Sequence, residues 1–221
     1  LAVLTAGSGA AAESRGRVAV VQGGDESRLV VIHPDGSGAR TLVRREFGLQ
    51  SPAWRPDGRA LAFVSSRGGG PGIYVVNDDG TGLRPLLVTN RGARDPAFSP
   101  DGRRIAYLGS RGLFVARADG SERRRLTRAL LEDSEPTWSP DGTRIAFVRE
   151  TQDMRVYLCV AAVRTTRIRR LTRTTEWAAS PAWAPNGKSI AFVRMPVNSD
   201  VGRLAIMRPG RPRTAEPGAS P

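Results

Sequence analysis

The sequence predicts an all-β chain folded as a β-propeller of about five four-stranded blades. Three observations carry this. The unit Ser51-Pro-Ala-Trp-Arg-Pro-Asp-Gly-Arg-Ala-Leu-Ala-Phe-Val64 returns in close copies beginning at Asp95, Glu135 and Ser180. Its marker aromatics Trp54, Phe98, Trp138 and Trp183 are 44, 40 and 45 residues apart, the period of a propeller blade. No stretch of roughly 11–18 residues shows the 3.6-residue period of an amphipathic helix.

Each strand follows from turn chemistry and apolar runs. Pro-Asp-Gly, or Pro-Asn-Gly in the last copy, suits a tight hairpin: proline presets the first turn residue, the Asx side chain bonds nearby backbone, and glycine takes the positive φ. The marker precedes the next strand's aromatic (Phe63, Tyr107, Phe147, Phe192) by 9 residues. It follows the leucine ending the previous unit (Leu42, Leu86, Leu126, Leu171) by 12. A third strand bears Tyr74, Phe114 or Tyr157 after a variable 11, 7 or 10 residues. It ends in Asp79-Gly or Asp119-Gly; an earlier copy, Leu29-Val-Val-Ile-His-Pro-Asp-Gly36, lies upstream. His33 reads as a turn residue there.

Composition narrows the chemistry. The 221 residues carry one histidine, His33, and one cysteine, Cys159, which excludes Cys or His-rich metal sites and an internal disulfide framework. A Ser-His-Asp triad would need His33 itself, and no G-x-S-x-G elbow occurs. No apolar run reaches the ~20 residues of a membrane helix. The net charge of +13 comes almost wholly from arginine, Lys188 being the one lysine. We read that charge as solubility and attraction for acidic partners, without nucleic-acid binding.

The units resemble the WD-repeat-like β-propeller repeats of the TolB family, whose signature runs R-L-T, then P-x-W-S-P-D-G, then I-A-F. Arg125-Leu-Thr127 and Arg170-Leu-Thr172 lead into Pro136-Thr-Trp-Ser-Pro-Asp-Gly142 and Pro181-Ala-Trp-Ala-Pro-Asn-Gly187. The resemblance covers about residues 17–208. It implies a non-enzymatic propeller that docks a protein or peptide at its channel mouth, without cofactor. The family's propeller is usually six-bladed and follows an N-terminal α/β domain. The units counted here imply a five-bladed ring, part of a six-bladed one or part of a longer protein, and no counterpart of that domain is read in them.

The ends allow two readings at one terminus. Residues 1–16 are expected to be a signal-peptide remnant, on the A-x-A spacing of Ala10 and Ala12, or a strand that closes the ring as the fourth strand of the last blade. The first reading puts the protein in the periplasm or outside the cell, the second in the cytoplasm. Residues 209–221, rich in proline and glycine, read as a disordered tail.

Eleven of the 13 aromatics fall at repeat positions and are expected in the core between blades. The aspartates of the Pro-Asp-Gly turns (Asp57, Asp101, Asp141) read as turn formers, since the D-x-D-x-D-G calcium spacing is absent. Arg123–Arg125 and the arginines from Arg164 to Arg170 fall on outermost strands, where charge blocks edge pairing. Phe47 and Trp177 break the pattern. They lie in the blade-to-blade connections with Arg45, Arg94, Asp95 and Glu135, and these six are the candidate partner-binding residues. The protein is expected to be a monomer. Two other readings stand beside this one: an accessory domain of a prolyl-oligopeptidase-like hydrolase, and a sugar- or lactone-processing propeller with carboxylates and a metal at the channel. Only Asp95 and Glu135 supply the carboxylates, at equivalent positions where the other copies have Ser51 and Ser180.

Overall fold

The computed structural model describes residues 3–6, 16–23, 27–89, 92–110, 112–128, 132–173, 176–196 and 201–209. These are all-β and form five antiparallel sheets in chain order. Blade 1 holds β1 (Val3–Ala6), β2 (Val18–Gln22), β3 (Ser27–Ile32) and β4 (Arg40–Glu46). Blade 2 holds β5 (Gln50–Trp54), β6 (Ala60–Ser65), β7 (Gly72–Asn77) and β8 (Arg84–Leu87). Blade 3 holds β9 (Ala93–Phe98), β10 (Arg104–Gly109), β11 (Gly112–Arg117) and β12 (Arg124–Arg125). Blade 4 holds β13 (Glu132–Trp138), β14 (Arg144–Glu150), β15 (Val156–Ala162) and β16 (Ile168–Arg170). Among the described residues blade 5 has three strands, β17 (Glu176–Trp183), β18 (Ile190–Pro196) and β19 (Arg203–Met207). The first strands β1, β5, β9, β13 and β17 adjoin in succession and form the inner wall.

One expectation is corrected here. Val3–Ala6 pair with β2, so the N-terminal strand opens blade 1 and adds nothing to the last sheet. Of the tail, 210–221 lie outside the described residues, while the Pro209 carbonyl accepts a 2.9 Å hydrogen bond from Arg169.

The turns form as their chemistry dictates. Asp101 Oδ1 accepts from Arg103 N at 3.1 Å, Asp141 Oδ1 from Thr143 N at 3.0 Å, and Asn186 Oδ1 from Lys188 N at 3.0 Å. Gly58, Gly102, Gly142 and Gly187 follow with φ between 65° and 68°, where a side chain would be strained. His33 closes the first such turn, donating its N–H to the Ser37 carbonyl at 3.0 Å.

Four apolar cores lie between successive blades, and each takes one face of each neighbour. Ala19, Val21, Leu29 and Val31 of blade 1 meet Trp54, Phe63 and Tyr74 of blade 2. The pattern repeats with Trp138, Phe147 and Tyr157 of blade 4 packed against blade 3, and with Trp183 and Phe192 of blade 5 packed against blade 4. Two of the three marker tryptophans also bond backward: Trp138 Nε1 donates to the Ala97 carbonyl at 2.9 Å and Trp183 Nε1 to the Thr137 carbonyl at 3.3 Å.

Four of the arginines serve these junctions. Arg17, Arg104 and Arg144 occupy one repeat position, and each guanidinium lies over the marker tryptophan of the next blade, at 5.4, 4.8 and 4.6 Å. The same guanidiniums donate to the glycine carbonyl of that blade's hairpin turn, Gly58, Gly142 and Gly187. Blade 2 has Ala60 at this position, and the next marker is Phe98, a poorer cation–π partner with no indole N–H. Arg124 reaches from β12 to the Val163 carbonyl of blade 4, so this outer-strand arginine clasps a neighbour besides charging an edge.

Candidate binding face

Strand alternation sends the hairpin turns and the Asp-Gly turns to one face of the propeller. The blade-to-blade connections and the variable loops emerge on the other. On this irregular face the inner strands start earlier than the marker prolines suggest. Arg94 and Asp95 lie within β9, Glu135 within β13 and Trp177 within β17; Phe47 alone stays in a connection, and Arg45 is on β4.

The residue before each marker proline forms a bulge. Ser51, Asp95, Glu135 and Ser180 have φ of 48°, 49°, 52° and 51°, left-handed values that cost a non-glycine residue about 1 kcal/mol each. Pairing with the second strand shifts register at each of these points. The bulge aims these side chains along the inner wall toward the neighbouring blade. Ser51 Oγ donates to Asp95 Oδ1 at 3.0 Å, the Glu135 N–H approaches Asp95 Oδ2 at 3.5 Å, and the Ser180 N–H donates to Glu135 Oε2 at 2.5 Å. The two carboxylates therefore tie blades 2 to 5 together as well as presenting negative charge at the channel.

Blade 4 adds a buried ion pair that the repeat does not require. Asp133 stands where the other blades have Leu49, Ala93 and Ala178, and it is 2% exposed. Arg149 Nε donates to Asp133 Oδ1 at 2.7 Å and its NH2 to Oδ2 at 3.0 Å, while Thr127 Oγ1 donates to Oδ2 at 2.5 Å. Thr127 Oγ1 in turn accepts the Leu113 N–H at 2.8 Å. Burial works against the Arg149 charge, and the Asp133 carboxylate outweighs it, holding the guanidinium above its ordinary value. A cavity of about 130 Å³ opens beside this pair, walled by Pro71, Ala93, Arg94, Glu132 and Asp133. That is well below the ~300 Å³ of a small-molecule pocket, and suits one side chain or a few waters.

The other candidates stand apart. Phe47 is 60% exposed, on a connection whose backbone is fixed by a 2.9 Å hydrogen bond from Ser66 N to the Phe47 carbonyl. Arg94 reaches Glu132 at 4.0 Å across open solvent, a pair worth little by itself. Trp177, 40% exposed, pairs with Met195 at the end of blade 5 where the irregular face meets that blade's open side. The Arg45 side chain lies outside the described residues. Burial pushes the Cys159 thiol up to about 11, so it is no ready nucleophile. Among the described residues no cluster of three or more His, Cys, Asp or Glu could hold a metal.

Repeated antiparallel sheets, inner strands around an axis and a marker aromatic in each junction define a β-propeller repeat protein. A profile of the TolB beta propeller domain matches residues 7–210, and the chain belongs to that family. A segment of 46 residues is 48% identical to the Tol-Pal system protein TolB of Xylella fastidiosa (strain M12), covering 21% of this chain and 10% of that protein. Over 47 residues it is 45% identical to the same protein of Hahella chejuensis (strain KCTC 2396), covering 21% and 11%. The solved TolB of Acinetobacter baumannii superposes with a TM-score of 0.74 at 23% identity, over 87% of this chain and 50% of that one. An oligogalacturonate lyase in complex with manganese superposes at 0.67 with 17% identity, over 88% and 63%. At such identities both structures show the fold alone. The chain spans half of the solved TolB, and the matched segments span about a tenth of the curated relatives.

Proposed function

We propose that this chain is a non-enzymatic binding propeller of the cell envelope that docks a protein or peptide segment on its irregular face. The observation that carries the reading is Phe47, a large aromatic displayed to solvent on a pinned backbone. Exposed, pre-positioned aromatics are typical interface anchors. Asp95, Glu135 and Arg94 supply mixed charge on the same face for orientation, Arg45 is placed on β4, and Trp177 offers a second anchor at the rim. The small cavity beside Asp133 accepts one side chain of such a partner. The periplasmic or secreted location rests on the Tol-Pal names of the relatives.

The test is a phage-displayed peptide selected on the 221-residue chain, with its affinity measured on variants. Phe47→Ala and Trp177→Ala each weaken binding by about 1–3 kcal/mol without changing the melting temperature. Arg84→Ala, on the exposed outer strand of blade 2, leaves affinity unchanged. Loss of binding in Arg84→Ala, with none in the two aromatic variants, places the partner on the basic rim and ends this reading.

A further inference from the structure

We propose that the outer seam between blades 3 and 4 docks an extended acidic peptide segment of a partner protein, at a surface separate from the irregular face. Elsewhere on the hairpin-turn face, cations are matched by acid: Arg17 meets Asp78 at 2.7 Å, Arg55 meets Asp57 at 2.6 Å and Arg117 meets Glu122 at 2.7 Å. The turn between the third and fourth strands carries Asp35, Asp79 and Asp119 in blades 1 to 3, each accepting the backbone N–H two residues on. Blade 4 has Val163-Arg-Thr-Thr-Arg167 instead, and residues 163–175 hold five arginines and no acid. The exchange costs the turn. Thr166 takes a φ of 57° at the left-handed position that Gly36, Gly80 and Gly120 fill in the earlier blades, and a β-branched residue is a genuine outlier there. A turn kept at that cost is kept for the side chains it presents.

The fold brings these cations together from two blades. Arg124 of β12 donates to the Val163 carbonyl, which sets Arg123–Arg125 beside Arg164 and Arg167. Val115 and Cys159 lie in the core between blades 3 and 4, so their cross-strand partners Arg124 and Arg170 stand at the outer mouth of the same seam, one on each side. All six of these arginines are exposed. Arg123 donates to the Gly120 carbonyl at 2.9 Å and Arg170 lies over the Tyr157 ring at 4.7 Å, but among the described residues none of the six pairs with a carboxylate. Guanidiniums rising from both sides of a seam fit an extended chain, which a flat bilayer is not, and their planar forks take carboxylates bidentately. The exposed large aromatics among the described residues, Phe47 and Trp177, lie on the irregular face, so no ring is offered here to stack a nucleobase. Blades 3 and 4 each have a neighbour against both faces, so any further blade extends the arc from an end and leaves this seam in place.

The experiment is fluorescence anisotropy of a labelled oligoglutamate on the 221-residue chain in about 0.1 M salt, where exposed charges beyond about 10 Å are screened. The parent binds it with a dissociation constant below about 1 mM. Arg125→Gln/Arg164→Gln/Arg167→Gln weakens binding about tenfold, the loss expected of three exposed pairs. The control Arg28→Gln/Arg59→Gln/Arg84→Gln removes the same charge from exposed positions on blades 1 and 2 and changes binding less than about twofold. Equal weakening in the two triple variants would make the attraction a property of net charge and overturns the proposal. So does a parent that binds no oligoglutamate, or one that binds phosphatidylglycerol vesicles or oligothymidylate more tightly per anionic group, which assigns the seam to a membrane or a nucleic acid. Phe47→Ala leaves oligoglutamate binding unchanged, so this proposal and peptide docking on the irregular face fail separately.

Discussion

Leu158 and Val160 of blade 4 are buried against blade 5, whereas Leu204 and Ile206, at the same two repeat positions, stand in solvent. The hairpin turns of the two blades are alike, and both marker tryptophans sit under an arginine from the preceding blade. What differs is the neighbour. A repeat supplies a face, and the stability of that face belongs to the junction it makes, as in any quasi-one-dimensional array. The same substitution should therefore have large effects on the covered side of blade 4 and almost none on the open side of blade 5.

The largest effect is expected at Trp138, which fills the junction of blades 3 and 4 and donates to Ala97. Trp138→Ala leaves a cavity and an orphaned carbonyl, costing about 3–5 kcal/mol. Leu158→Ala, on the covered side of blade 4, costs about 2–5 kcal/mol, whereas Leu204→Ala stays within about 0.5 kcal/mol. Urea denaturation decides it: equal losses would mean the open side is covered in solution. Next comes Asp133→Ala, which strands the Arg149 guanidinium in the same junction at a cost of about 3 kcal/mol. The low end of the range for a broken buried pair applies because the adjoining cavity admits water. The double variant Asp133→Leu/Arg149→Met should recover most of that loss, since no charge is then left buried.

The propeller, its blade boundaries and its aromatic cores were legible because each is written several times over. Repetition separates Trp54, Trp138 and Trp183 from Phe47 and Trp177 without any structure. The site was less legible. A residue before proline is ordinarily extended, so the bulges at Asp95 and Glu135 leave no local signature, and the inner strands were read as connections. Asp133 appears among other acidic residues in sequence, and its burial follows only from the register that puts it where Leu49, Ala93 and Ala178 stand. The clasp arginines could have been found: arginine occupies that position wherever the next marker is tryptophan, and Ala60 precedes Phe98. Nothing in Val3–Ala6 says which sheet a strand there joins, so its pairing with β2 follows from the fold alone.

The clasp gives a third, smaller test. Arg104→Ala removes the stack on Trp138 and a 3.0 Å hydrogen bond to the Gly142 carbonyl, and should cost about 1–2 kcal/mol. Ala60→Arg should give no matching gain, because Phe98 offers the guanidinium a weaker ring. A gain as large as the Arg104 loss would show that the turn carbonyl, and not the indole, holds the clasp.

The smallest effect is electrostatic and again separates blade 5 from the others. Asp57 is held below the ordinary aspartate value of 3.8, first by the Arg55 guanidinium bonded to it at 2.6 Å. At Asp101 and Asp141 partial burial works against the charge, but hydrogen bonds from Ser99 and Ser139, both at 2.5 Å, and from backbone N–H groups outweigh it. A carboxyl with a lower pKa folded than unfolded binds fewer protons in the folded state, so its contribution is complete above about pH 4 and is lost as the pH falls through the folded value. Asn186 makes the same turn in blade 5 without titrating. Replacing all three aspartates by asparagine should therefore flatten the fall in urea midpoint between pH 5 and pH 3 relative to the parent, while leaving the midpoint at pH 7 little changed. These groups are largely exposed, so the difference is shallow and shrinks in high salt. An unchanged acid profile in the triple variant would place the acid sensitivity outside these turns.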